Sequence, residues 1–141
     1  MGRVLVIDDE PDVLLLCRVN LRHAGHEVLE ARDGEHGIAD AVTQSPDAIV
    51  LDLMLPSMDG YEVLRLLRKD ERTSKVPILV LTAKAQIEDR KRSWELGADE
   101  FLTKPFSPEV LSEALERVLS LDDRERAARR DDALSSLEDA L

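Results

Sequence analysis

Polar residues interrupt the apolar runs of this chain at a recurring place. Asp8 and Asp9 follow Val4-Leu5-Val6-Ile7, Asp52 follows Ala48-Ile49-Val50-Leu51, Thr82 follows Ile78-Leu79-Val80-Leu81, and Lys104 follows the run that starts at Glu100. Three carboxylates in one place repel, each pair by about 4 kcal/mol at ~4 Å and an effective dielectric of ~20, so they assemble only around positive charge. Lys104 supplies one charge. An oxygen-ligated divalent cation supplies two, and magnesium characteristically takes few carboxylates together with water and phosphate oxygens. Screened in this way, Asp52 can act as a carboxylate nucleophile toward phosphorus and form an acyl phosphate, in a reaction catalysed mostly by positioning and charge neutralisation. A single strand-end Asp is as well explained as a turn former or helix cap. The coincidence of five such residues at four strand ends is what points to chemistry.

For those ends to meet, the runs must be parallel strands. Short β-branched or Leu-rich runs recur at 4–7, 27–31, 48–51, 78–81 and 100–102. Between and after them, helical periodicity covers 12–24, 34–44, 60–70, 87–96 and 108 to about 121. Gly25 and Gly97 stand where the first and fourth helices stop, and Ser107-Pro108 supplies a cap and a first-turn proline for the fifth. The runs at 48–51 and 78–81 are apolar throughout, as in strands covered on both faces. Strand and helix alternating five times predict an α/β open parallel sheet with right-handed crossovers. Ligands bind such a sheet outside the carboxyl ends of its strands. Adjacency of strands one and three would bring Asp8, Asp9 and Asp52 together.

The totals are consistent with this. A length of 141 residues suits one domain with a modest tail. A hydrophobic content of 43% with only 3% aromatic means a core of Leu, Val, Ile and Ala. A formal charge of −11 argues against direct nucleic-acid binding or attachment to anionic lipid, which need concentrated Lys and Arg. Cys17, the single cysteine, lies in an apolar run and reads as a buried small hydrophobe. No stretch approaches membrane length, so a cytoplasmic location is expected.

The motifs Val6-Ile7-Asp8-Asp9-Glu10, Leu51-Asp52-Leu53-Met54-Leu55-Pro56-Ser57-Met58-Asp59-Gly60, Leu81-Thr82-Ala83 and Gly97-Ala98-Asp99-Glu100-Phe101-Leu102-Thr103-Lys104-Pro105-Phe106 together resemble the response-regulator receiver family of two-component systems. The resemblance runs from residue 3 to about 121, giving a receiver domain over 1–121 and a charged tail or linker over 122–141. It implies a flavodoxin-like (βα)5 three-layer sandwich with strand order 2-1-3-4-5, an order the handful of known doubly wound folds includes for a chemotaxis receiver. It also implies that Asp52 accepts a phosphoryl group from a histidine kinase or phosphotransfer protein. Asp9, Asp52 and the Met54 carbonyl would ligate Mg2+ or Mn2+, with Asp8 holding the metal through water. Thr82, Ala83 and Lys104 would stabilise the phosphoryl group, and Thr82 and Phe101 would form a conformational switch. Met54 and Lys84 would tune the phosphate's lifetime. Pro56, Gly60 and a cis Pro105 would shape the loops. The chain would thus be a phosphoacceptor signalling domain rather than an enzyme, speaking to a downstream protein or output domain through its helix-four to helix-five surface or its tail, with a homodimer as a further option.

Other features fit blander readings. His23, His26 and His36 read as surface or turn residues, and Trp94 as packing on the sheet. Arg90-Lys91-Arg92 and Arg129-Arg130 read as solvated helix faces with local pairs. Fifth-helix positions Val110, Ala114 and Leu121 are apolar, which disfavours a salt-bridged dimer there. Because neither Gly nor Pro occurs after Pro108, the fifth helix is expected either to continue, with Ala127, Leu134, Leu137 and Leu141 as a thin stripe for a partner helix or dimer seam, or to fray. Two functional alternatives stay open: a phosphorylation-independent interaction module of the same fold, and an aspartate-nucleophile phosphohydrolase. The latter would want its nucleophile after the first strand, where this chain reads Asp8-Asp9-Glu10-Pro11. A flavin-binding protein of related fold would need a Ser/Thr-rich loop there.

Overall fold

A computed structural model describes residues 2–140. Five parallel strands, β1 (Arg3–Ile7), β2 (Glu27–Ala31), β3 (Ala48–Leu51), β4 (Ile78–Thr82) and β5 (Glu100–Thr103), form one sheet in the order β2-β1-β3-β4-β5. The helices are α1 (Pro11–His23), α2 (Gly34–Gln44), α3 (Gly60–Lys69), α4 (Ile87–Glu95), α5 (Pro108–Ser120) and α6 (Asp123–Ala140). Both the expected alternation and the expected strand order are present.

Alternate strand residues divide the core into two layers. Val4, Val6, Val50, Leu79 and Leu81 pack with Val13, Cys17 and Leu21 of α1 and Leu111, Leu115 and Val118 of α5. Leu5, Ile7, Ile49, Leu51, Ile78 and Val80 pack on the other face with Tyr61, Val63, Leu64 and Leu67 of α3 and Trp94 of α4. β3 and β4 are buried along their whole lengths, as runs without polar alternation require. Pro11 and Pro108 open α1 and α5, and the side chains of Asp33, Asp59 and Ser107 accept first-turn amides in α2, α3 and α5. Gly25 and Gly97 adopt φ of 94° and 101° just past α1 and α4, a conformation that costs a residue with a Cβ.

The tail departs from expectation. α5 neither continues nor frays: Leu121 is extended, and a separate helix restarts at once. The Asp122 side chain accepts the Glu125 amide while Glu125 accepts the Asp122 amide, a reciprocal capping box that ends one helix and starts the next. Ala133, Leu134 and Leu137 then pack on the chain's own core beside α4. Leu141 lies outside the described residues. Arg129 and Arg130 are likewise not solvated with local partners, since they pair with Glu100 and Asp99 some thirty residues away. His26 is buried and accepts the Gly2 amide rather than standing on the surface. No described helix is long and apolar enough to cross a membrane.

Candidate functional site

The parallel register delivers the strand ends to one rim. Ile7 pairs with Leu51, Leu51 with Val80, and Thr82 with Thr103, so the residues that follow stand side by side. Backbone bonds carry the alignment one residue further: the Asp52 amide donates to the Ile7 carbonyl at 3.0 Å, and the Lys104 amide to the Thr82 carbonyl at 2.9 Å.

At this rim Asp8 and Asp52 are each 2% exposed. Lys104 reaches over β4 to put Nζ 2.8 Å from Asp8 Oδ2 and 2.9 Å from Asp52 Oδ2. It lies equally close, 2.8 Å, to Glu10 Oε1 at the mouth. The second oxygens are also used: Asp8 Oδ1 accepts the Glu10 amide and Asp52 Oδ1 accepts the Met54 amide. Burial raises the Asp8 carboxyl above the usual range, against the pull of Lys104 and the Glu10 amide. Burial alone would lower the Lys104 ammonium, but hydrogen bonds to Asp52, Asp8 and Glu10 outweigh it and leave its pKa raised. One cation is shared among three acids, so the ammonium gains from each of them while burial still dominates at Asp8.

One carboxylate oxygen from each of Asp8, Glu10 and Asp52 lies within 4.8 Å of the others, a set of hard oxygen donors with surplus negative charge, which fits a small divalent cation. Sequence reasoning missed Glu10 in this group, although its place two residues past Asp8 in the Asp-Asp-Glu run was visible. Asp9, expected as a direct ligand, is exposed and does not join the cluster, and the Met54 side chain is exposed at 57%.

The remaining candidates frame the rim. Thr82 is fully buried and its Oγ1 accepts the Lys84 amide at 3.1 Å. Ala83 and Lys84 are exposed, and Lys84 Nζ sits 3.9 Å from Asp89 and 5.1 Å from the Tyr61 ring centroid. Phe101 is buried next to the β4 end, with the Arg90 guanidinium 5.1 Å from its ring centroid. The Lys104-Pro105 peptide is cis. Pro56 is exposed in the loop after Asp52. Gly60 closes that loop: a Cβ there would stand 2.3 Å from Leu53 Cα and 2.7 Å from the Asp52 carbonyl oxygen, and its amide donates to the Leu53 carbonyl.

A family model described as the response regulator receiver domain matches residues 4–116. The chain is 45% identical over 136 residues to the DNA-binding dual master transcriptional regulator RpaA of a Synechocystis strain, covering 96% of this chain and 56% of that protein. It is 35% identical to protein PilH of Pseudomonas aeruginosa, over 85% of this chain and 99% of that one. It spans about half the length of most of the transcriptional regulators it matches. Among solved structures, the receiver domain of the sensor histidine kinase PA1611 from Pseudomonas aeruginosa, described with a magnesium ion coordinated in its active-site cleft, superposes with a TM-score of 0.79 at 33% identity, covering 85% of this chain and 98% of that one.

Proposed function

The chain belongs to the response regulator receiver domain family, and on that premise we propose how its own residues carry the phosphoryl group. The protein is the receiver of a two-component response regulator. Asp52 is the acceptor: one carboxylate oxygen forms a bond to phosphorus as the bond from phosphorus to a histidine nitrogen of the donor protein breaks, and the released imidazole takes up a proton. Lys104 neutralises charge on the phosphoryl oxygens from where it already stands, 2.9 Å from Asp52. Asp8 and Asp52, with Glu10 and Asp9 at the mouth and the Met54 carbonyl beside them, would hold Mg2+ or Mn2+, which when bound supplies the remaining neutralisation. The Thr82 hydroxyl gives up its contact with the Lys84 amide and donates to a phosphoryl oxygen, and Phe101 turns toward the space so opened. Ala83 offers its backbone amide to the phosphoryl group, while Met54 and Lys84, both exposed at the rim, set how readily water reaches phosphorus. The receiver unit would run over 1–121, with 122–141 as its tail. Its readers are a histidine kinase or phosphotransfer protein upstream and, downstream, a protein or output domain met through the face running from α4 to α5 or through the tail, in the cytoplasm.

The observation that carries this reading is the convergence of Asp8, Asp52 and Lys104, drawn from three different strand ends into mutual contact with almost no solvent. Incubation with magnesium and acetyl phosphate, followed by intact mass measurement, should add one phosphoryl group to the native chain and none to Asp52→Asn. Equal labelling of both, or labelling of neither, defeats the assignment.

A further inference from the structure

α6 is held differently from the helices that sandwich the sheet. α1, α3 and α5 each bury four or more residues, whereas the one buried residue of α6 is Arg126. That arginine pins the hinge, donating to the carbonyls of Val118, Leu121 and Lys75. Beyond it the helix rests on a surface of two kinds. Ala133, Leu134 and Leu137 are half-buried against the cluster that contains Trp94, Ala98 and Phe101. Arg129 donates to the Asp99 carbonyl at 2.8 Å and to Glu100 Oε2 at 2.6 Å, and its guanidinium lies 5.9 Å from the Trp94 ring centroid. Arg130 pairs with the buried Asp99 carboxylate. The spacing 126, 129–130, 133–134, 137 puts all of these on one helical face. The Arg129 and Arg130 side chains remain partly in solvent and the apolar residues of this face are only half-buried, so α6 opens more readily than the helices that sandwich the sheet.

The surface that α6 grips is contiguous with the signalling rim. Asp99 and Glu100 immediately precede Phe101, and the Phe101 amide donates to Glu100 Oε1 at 3.2 Å. Phe101 pairs with Val80, two residues before Thr82. Its ring is packed under α4 through Arg90 and shares the apolar cluster with Trp94 and Leu134. A rearrangement of Thr82 and Phe101 therefore disturbs both components of the α6 seat, the apolar patch and the acidic pair.

We propose that the face formed by α4 and the start of β5 is a helix-docking surface whose occupant is this chain's own α6, seated while Asp52 is free and released when Asp52 carries a phosphoryl group. This rests on the receiver reading above. α6 once released loses the tertiary packing that supplies most of a helix's stability in water, and its amides lose protection. Because coupling is reciprocal, weakening the seat favours the phosphorylated conformation by the same factor.

The test is amide hydrogen exchange on the full chain with magnesium and acetyl phosphate, with intact mass measured on the same samples. In the phosphorylated native chain, exchange over residues 127–140 should rise by about fivefold or more, the lower end of ordinary allosteric coupling, and in Asp52→Asn it should not change. Arg129→Gln and Leu134→Asp should exchange rapidly from the outset and gain nothing further on phosphorylation, while binding beryllium fluoride more tightly than the native chain. Phosphorylation seen by mass with no change in exchange overturns the latch and leaves the receiver reading intact. Native-like protection in both variants also overturns it. Absence of any phosphoryl gain removes the reading beneath it and the latch together.

Discussion

Lys104 Nζ stands 2.9 Å from Asp52 Oδ2 although β4 separates the strands that carry the two residues. The lysine's stem crosses the end of β4 just above Thr82, whose carbonyl accepts the Lys104 amide, so a single residue closes the site from the side and supplies its only nearby cationic partner among the described residues. Replacing Lys104 with methionine keeps most of that stem and removes the charge. Two nearly solvent-free carboxylates are then left without compensation, and the metal-free protein should lose about 3 kcal/mol in urea denaturation. Magnesium at ~100 times the native chain's dissociation constant should return about 2.7 kcal/mol to the native chain, and the same concentration should return more to the variant, in which Lys104 no longer competes for the same oxygens.

Asp8 sets a pH dependence. Because burial raises its carboxyl above the ordinary value, the native state holds that proton more tightly than the unfolded state does. The stability associated with protonated Asp8 is present below its unfolded pKa, near 3.8, and is lost as pH rises through the higher folded value. Asp8→Asn retains an acceptor for the Glu10 amide without the charge. Metal-free Asp8→Asn should therefore be more stable than the native chain at pH 7 by on the order of 1 kcal/mol, and the difference should shrink as pH falls toward 4. A magnesium titration followed by calorimetry should show weaker binding in the same variant.

Thr82→Ala should still accept phosphate, since the nucleophile and Lys104 are untouched. A charge-assisted hydrogen bond contributes about 1.5 to 3 kcal/mol, and carrying an equilibrium from 1:99 to 99:1 takes about 5.5 kcal/mol. Losing the hydroxyl should leave the phosphorylated variant divided between two conformations, visible as intermediate shifts or doubled resonances around Phe101 in NMR spectra. Full switching in the variant would show that the hydroxyl has no part in it.

Cys17 offers a probe of integrity. It is fully buried in the α1 layer, and burial pushes its thiol up to about 12. Thiolate-directed reagents at pH 8 should leave it unmodified in the native protein and label it in denaturant. Labelling at a rate that follows global unfolding would also report the stability of the variants above.

The strand ends were legible because polar residues abruptly close four apolar runs, and it was the agreement of all four, not any one of them, that pointed to a shared rim. The same logic did not single out Glu10. Three consecutive acids past β1 do not reveal which side chains turn inward, and that depends on Asp8 Oδ1 capturing the Glu10 amide, a local bond that pattern does not encode. α6 was misread for a related reason. Continuity of helix-forming residues past Ser120 hid the Asp122 to Glu125 capping box, and the arginines of the tail look solvated until Asp99 and Glu100 are known to lie under them. Long-range ion pairs leave no periodic trace. Arg68 shows this most clearly: it sits in the last turn of α3 as an ordinary exposed-face residue would, yet it bonds the carbonyls of Thr73, Ser74, Val76 and Gly97 and the Asp99 carboxylate.

Gly60 leaves no clearance between the start of α3 and the peptide that carries the acceptor. Helix and nucleophile are in effect welded along that seam, and nothing wider than a hydrogen atom fits between them. Any side chain at position 60 would have to pry the acceptor's peptide away from the helix beside it, so the bareness of this one residue is what lets the nucleophile sit where it does.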